Sequence, residues 1–382
     1  MTVLNFLPEQ YSQDNQLKIN HNYLQQQFSD CDEILKKIKK VILRGDFTLG
    51  KAVDDFENKF KLMTHTRHAI GVGSGTDALF LSLKALGIKE GDEIITTPFT
   101  FYATIGAIVT AGAKPVFADI LEDYNIDPNQ IESKITSKTR AILPVHWAGK
   151  PCHMDDINFI AKKHHLFVIE DACHTILANY NGKAAGSLGD VGCFSFHPLK
   201  NLNVWGDGGI ITTDNEDIAN QLRLMRNHGL KGRDECIMFS YNSRLDTLQA
   251  VVADHLLQKL PHITQSRINN ANYLDRGLQL VSEITIPPRE NNIKQVYHLY
   301  SICCENRDAL KNYLISSGID AKIHYPVPMH LQPAANYLKY RKNDFPVAEK
   351  IANTTLSLPV HEFITQADCD RMIALITEFY AS

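Results

Sequence analysis

The stretch Ser187–Thr213, SLGDVGCFSFHPLKNLNVWGDGGIITT, carries the residue around which the rest of the chain is read. Its apolar runs Cys193–Phe196 and Ile210–Thr213 read as strands. Between them lie an irregular segment bearing Lys200 and a turn made by Gly206, Gly208 and Gly209. A lysine between two buried strands is costly unless it is paired or loses its charge. Condensed with an aldehyde as an imine, it sheds its full ammonium charge and becomes a group that catalysis can displace. Taken alone, the segment reads as a solvated lysine in a polar loop. Only partners elsewhere in the chain change that.

The partners lie upstream. His68–Val72 reads as a short strand, followed at once by Gly73-Ser74-Gly75-Thr76 and the helix Asp77–Leu86. Such a turn lets the backbone approach a ligand closely, and the helix start offers unpaired N–H groups and a positive dipole end to a phosphate. It half-imitates a dinucleotide fingerprint, with Gly71, Gly73, Asp92 and Glu93, but Thr76 stands where the third glycine belongs. A plain helix cap by Ser74 or Thr76 is the competing reading. Glu93–Thr97 is a second strand, ending in PFTFYAT with Phe101 as a candidate cover for a flat ring. Further strands are expected at Pro115–Phe117, Thr139–Val145 and Leu166–Ile169, the last ending on Glu170-Asp171, with helices at Ala103–Ala111 and Asp155–His164.

Strands alternating with helices over Ala69–Thr213 imply an α/β fold, a mostly parallel sheet flanked by helices. Ligands of such sheets sit at the carboxyl ends of the strands. Gly73–Thr76, Phe101, Asp171 and Lys200 all fall at such ends or in the turns just after them. One cofactor uses all four. Pyridoxal 5'-phosphate has a phosphate, a flat ring, a pyridine nitrogen that must stay protonated and an aldehyde that traps lysine. Asp171 is expected to hold the pyridinium by a charge-assisted hydrogen bond. Phe101 is expected to stack on the ring, Gly75, Thr76 and Ser195 to hold the phosphate, and Lys200 to close the imine.

With those residues in hand, the chain resembles the DegT-type sugar aminotransferases, which have the aspartate-aminotransferase fold (fold type I of the pyridoxal-phosphate enzymes). The stretches GSGTDAL, TPFTFYAT, VIEDACH, GCFSFHPLKN, GDGG, MRNHG, YNSRLDTLQA and IHYPVPMHLQP match, in the family's order, across Gly73–Pro333. The resemblance implies that Asn242 reaches the cofactor phosphate of the other subunit, so that the working unit is a homodimer with shared active sites. A helix cap at the start of the helix expected over Arg244–Leu260 is the alternative role for Asn242. The resemblance also places His174 near the cofactor's ring oxygen, and His324, Tyr325 and His330 at the substrate cleft. One branch of the family carries histidine in place of the imine lysine and removes hydroxyls; here Lys200 is present.

The expected activity is transfer of an amino group from glutamate to a keto sugar, in particular a nucleotide-linked keto-deoxysugar. Donor and sugar class come from the resemblance alone. An aminocyclitol or sugar-phosphate aminotransferase shares every cofactor residue, a sugar dehydratase is disfavoured by Lys200, and a nicotinamide oxidoreductase leaves Asp171 and Lys200 without roles. A regulatory or binding protein on this scaffold leaves a full cofactor set idle.

The remaining features set limits. A formal charge of −4 over 382 residues, with no basic patch, argues against nucleic acid as a partner. No apolar run approaches the roughly 20 residues of a membrane span. Eight cysteines without a CxxC pair or metal spacing suggest reduced thiols in a cytoplasmic protein. The expected organisation is an arm over residues 1–30, a large cofactor-binding domain over 31–260 and a smaller α+β domain over 261–382. The smaller domain is expected to hold strands at His298–Cys304 and Ala321–His324.

Overall fold

The computed structural model describes residues 17–381; the first part of the expected arm, residues 1–16, lies outside them. Strands β1 (His68–Val72), β2 (Glu93–Thr96), β3 (Lys114–Phe117), β4 (Thr139–Ile142) and β5 (Phe167–Asp171) belong to the central sheet. The short pair β6 (Asn179–Tyr180) and β7 (Lys183–Ala184) interrupts the series before β8 (Val191–Ser195) and β9 (Gly209–Thr213) return to it. The seven strands lie in the order β1-β9-β8-β5-β4-β2-β3. Neighbours from β8 through β3 pair in parallel, and β9 runs antiparallel to both β8 and β1. All strands but β9 therefore end on the same edge.

Register fixes what meets there. Val72 of β1 and Ser195 of β8 both lie opposite Gly209, and Asp171 of β5 lies opposite Cys193. The turn after β1, the end of β8 and the end of β5 are thus brought side by side. Glycine is required at this junction: a Cβ on Gly209 would lie 2.4 Å from the Ser74 carbonyl oxygen, and one on Gly75 2.5 Å from Ser195 Cβ. Both faces of the sheet are covered by helices, and their apolar residues form buried clusters on either side. Among the described residues no helix is long and apolar enough to cross a membrane.

The C-terminal region forms a second sheet, β10 (Ile284–Thr285), β12 (Tyr300–Cys304) and β13 (Thr355–Leu358), in the order β10-β12-β13. A third, small sheet joins β11 (Ile293–Lys294) to β6 and β7. The helix expected over Arg244–Leu260 is the shorter Thr247–Leu257, and a second helix, Leu260–Leu278, follows almost at once. Pro261 stands in the first turn of the second, where its missing N–H breaks no helical bond. Leu260 and Ile263 of that helix pack with the large sheet, while Ala271, Leu274 and Leu278 pack with the small one. One helix therefore carries the chain from one core to the other. The strand expected over Ala321–His324 reduces to a single bridge, Lys322 to Ser357. Pro326 and Pro328 follow closely, and proline both restricts the residue before it and lacks a ladder donor.

Candidate active site

The edge where the strands end is one wall of a cavity of about 310 Å³. Ser74 caps the helix Gly75–Ala85 by accepting from Asp77 N at 3.0 Å, so the cap reading holds for Ser74. Gly75 and Thr76 of that first turn line the cavity, and the first N–H groups of a helix have no partner within it. Ser195, at the end of β8, lies beside them. This is the donor-rich, dipole-positive corner that suits a phosphate.

Asp171 ends β5 almost fully buried, with its carboxylate on the cavity wall. Thr104 Oγ1 donates to Asp171 Oδ2 at 2.8 Å, and Thr100 and Thr104 share a hydrogen bond of 2.7 Å. Cys173 N donates to Asp171 Oδ1 at 3.3 Å. The next turn brings His174 to the same wall, with Trp147 edge-on to it at 5.7 Å between ring centroids. Lys200 lines the cavity from the turn after β8. Burial draws its ammonium below the ordinary lysine range, opposed by the charges of Cys173 and Asp171. More of the neutral amine, the form that attacks an aldehyde, is present as a result.

Phe101 is about half exposed and lies 5.9 Å from the Tyr325 ring. Both rings line the cavity, and His324 joins them, its Nδ1 3.0 Å from Ser357 Oγ. Gly75, Thr76, Phe101, Asp171, His174, Ser195, Lys200, His324 and Tyr325 are thus brought together. One residue expected at the substrate cleft is not. His330 is buried away from the cavity, its Nε2 3.1 Å from Glu349 Oε1 and its ring edge-on to Phe345. Met329 N donates to Pro98 O at 2.7 Å, which ties this turn down and turns His330 into the aromatic cluster behind it. Asn242, expected to serve the other subunit's site, lies on the surface of this chain, its backbone bridged to Asn227. The N-cap position considered for it is held by Asp246, whose side chain makes no capping bond.

The opposite wall was not legible beforehand. It is built from His21 and Tyr23 of the arm, Arg267 of the helix Leu260–Leu278, and Lys322, His298 and His361. Burial and the Lys322 charge hold His21 down to about 3. Burial, the His21 charge and then the Lys322 charge hold His324 down to about 3 as well. The His298 ring lies tilted against that of His174, 4.3 Å between centroids, and burial keeps both imidazoles well below the usual histidine range. No local motif announces these residues, because they come from segments far apart in the chain.

A family model described as the DegT/DnrJ/EryC1/StrS aminotransferase family matches residues 29–377. The chain belongs to that family. A relative in Aneurinibacillus thermoaerophilus, named dTDP-3-amino-3,6-dideoxy-alpha-D-galactopyranose transaminase, is 39% identical over 91% of this chain and 95% of its own length. One in Geobacillus stearothermophilus, named a pleiotropic regulatory protein, is 41% identical over 91% of this chain and 94% of its own. Among solved structures, S. venezuelae DesV in complex with a ketimine intermediate superposes with a TM-score of 0.93 at 36% identity, covering 95% of this chain and 99% of that one. The protein is a pyridoxal-phosphate-dependent aminotransferase of fold type I. Its cavity suits that cofactor: the Gly75 cradle leaves no room for a side chain, and carboxylate, lysine and amide donors converge on one space.

Proposed function

We propose that this aminotransferase moves an amino group from glutamate to a nucleotide-linked keto-deoxysugar, working as a homodimer with shared active sites. The observation that carries the reading is the meeting of Asp171, Lys200 and the Gly75 helix start on one cavity wall. The sugar class is supported by the names of relatives such as the dTDP-sugar transaminase.

Bound there, pyridoxal phosphate supplies an aldehyde that carries amino groups and a ring that spreads negative charge. Gly75, Thr76 and Ser195 hold its phosphate at the helix start. The Asp171 carboxylate would hold a proton on the ring nitrogen, and the Thr104 hydrogen bond fixes the direction in which that carboxylate points. Lys200 Nζ would join the aldehyde and, when free, would be the base and acid that moves a proton at the reacting carbon. His174, kept neutral by burial, would stand beside the ring, and Phe101 and Tyr325 would cover it and exclude water. His324 and Tyr325 border the sugar.

Borohydride reduction of the holoenzyme followed by peptide mapping should label Lys200, and Lys200→Ala should not turn over. Label on Lys51 or Lys150 would overturn the assignment. Incubation with labelled glutamate and a panel of nucleotide keto sugars and ketocyclitols tests the substrate, with amination of a cyclitol alone excluding the sugar reading.

The shared site is tested by mixing. Asn242→Asp puts negative charge beside a phosphate and should be inactive, as should Lys200→Ala. A heterodimer of the two gathers both defects into one site, so co-expression should restore activity. No recovery despite proven subunit exchange would confine Asn242 to its own subunit.

A further inference from the structure

The turn that presents Lys200 is not held by its own strands alone. Leu199, just before the lysine, adopts a left-handed backbone with φ of +73°, a conformation a branched side chain keeps only when its surroundings impose it. The surroundings here are remote in sequence. Tyr23 Oη donates to Leu199 O at 3.2 Å and sits 3.5 Å from Lys200 O. Arg267 Nη2 donates to the same Tyr23 oxygen at 2.7 Å, fixing its lone pairs and leaving the O–H for the turn. The Tyr23 ring stacks on His361 at 4.5 Å. From the other side Asn203 Nδ2 donates to Lys200 O at 2.9 Å and to Gln27 Oε1 at 2.7 Å. Gln27 Nε2 in turn donates to Glu362 Oε1 at 3.1 Å.

Tyr23, Gln27, Asn203 and Arg267 are all nearly fully buried. A hydrogen bond in such a place is costly to leave unmade, so the network resists displacement of the turn. We propose that Tyr23 is a positioning residue for Lys200: its hydroxyl, oriented by Arg267 and backed by the Gln27–Asn203 pair, fixes the backbone from which the lysine reaches the cofactor. The carbonyls it holds belong to Leu199 and Lys200 themselves, so a shift there moves Nζ directly.

The proposal rests on the assignment of Lys200 made above, and the test separates the two. Wild type, Tyr23→Phe, Gln27→Met and Tyr300→Phe are prepared as full-length holoenzymes. Tyr300 is the control: it is equally buried and donates to Asp275 Oδ1 at 2.8 Å, within the small-sheet core. The visible absorbance of the lysine–cofactor linkage is titrated against pH without substrate, and kcat and KM are measured separately. In Tyr23→Phe the titration midpoint should rise by about one unit as water reaches a loosened linkage and favours its charged form. The same variant should lose about tenfold in kcat, the scale of one good hydrogen bond. Tyr300→Phe should lower the melting temperature and leave the midpoint in place. If Tyr23→Phe does not fold, Gln27→Met must show the same direction of shift, and an unmoved midpoint there overturns the proposal. A Tyr23→Phe enzyme with an unmoved midpoint overturns it too, whether its melting temperature falls, marking a structural residue, or its KM alone rises, marking a substrate contact. A wild-type enzyme that borohydride does not label at Lys200 overturns the earlier assignment instead.

Discussion

Glu170 and Asp171 are neighbours at the end of β5, both carboxylates and both buried, and they have opposite surroundings. Glu170 is saturated: Gly186 N donates to its Oε2 at 2.8 Å, Leu188 N and Gly189 N to its Oε1 at 2.7 and 2.8 Å, and His146 Nε2 lies 2.9 Å from Oε2. Asp171 faces the cavity, and among the described residues its donors are Thr104 and the amide and thiol of Cys173. The difference follows from the pleat, which points successive side chains to opposite faces. One carboxylate closes the loop between β7 and β8; the other is left with capacity to spare for a ligand. A buried carboxylate becomes functional through the bonds it still lacks.

The largest effect that would break this comparison is in Asp171→Asn. Without the charge the ring nitrogen loses its proton's partner, and kcat should fall by about a thousandfold, or about 4 kcal/mol of barrier. The melting temperature should barely change, since asparagine can still accept from Thr104. Steady-state kinetics at near wild-type rates would reduce Asp171 to a strand-end carboxylate like its neighbour.

Glu170→Gln should show the reverse pattern. Replacing one acceptor oxygen by an amide leaves buried N–H groups facing N–H, which should cost about 3 kcal/mol in chemical denaturation. The folded fraction should keep a kcat within a few-fold of wild type. A large kcat loss at unchanged stability would show that Glu170 belongs to the chemistry.

The smallest effect concerns pH and the opposite wall. His21 and His324 are held at about 3 and His361 at about 4, all from an ordinary value of 6.5. Below 6.5 the unfolded chain takes up protons at these sites that the folded chain refuses, so stability present above 6.5 is lost as pH falls toward 4. Melting temperatures measured from pH 7 downward should drop, and His324→Gln should flatten the slope. The same slope should persist in Glu170→Gln, which separates this wall from the β5 loop.

The amino-acid sequence by itself determined the parallel α/β core and the half of the site written in short motifs. Gly75 and Thr76, Asp171, Ser195 and Lys200 each stand at a strand's end or in the turn after it, a position that alternation and turn residues mark locally. Tertiary structure alone decided the rest. That Val72 and Ser195 meet across Gly209 depends on β9 running against its neighbours. That His330 turns inward depends on the bond from Met329 to Pro98, and that Asn242 is no helix cap depends on where the helix actually starts. His21, Tyr23, Arg267, Lys322 and His361 share a wall through long-range packing of the arm, the helix between the cores and the small sheet. Local periodicity reports which face of an element is buried; it carries no record of which distant element will cover that face.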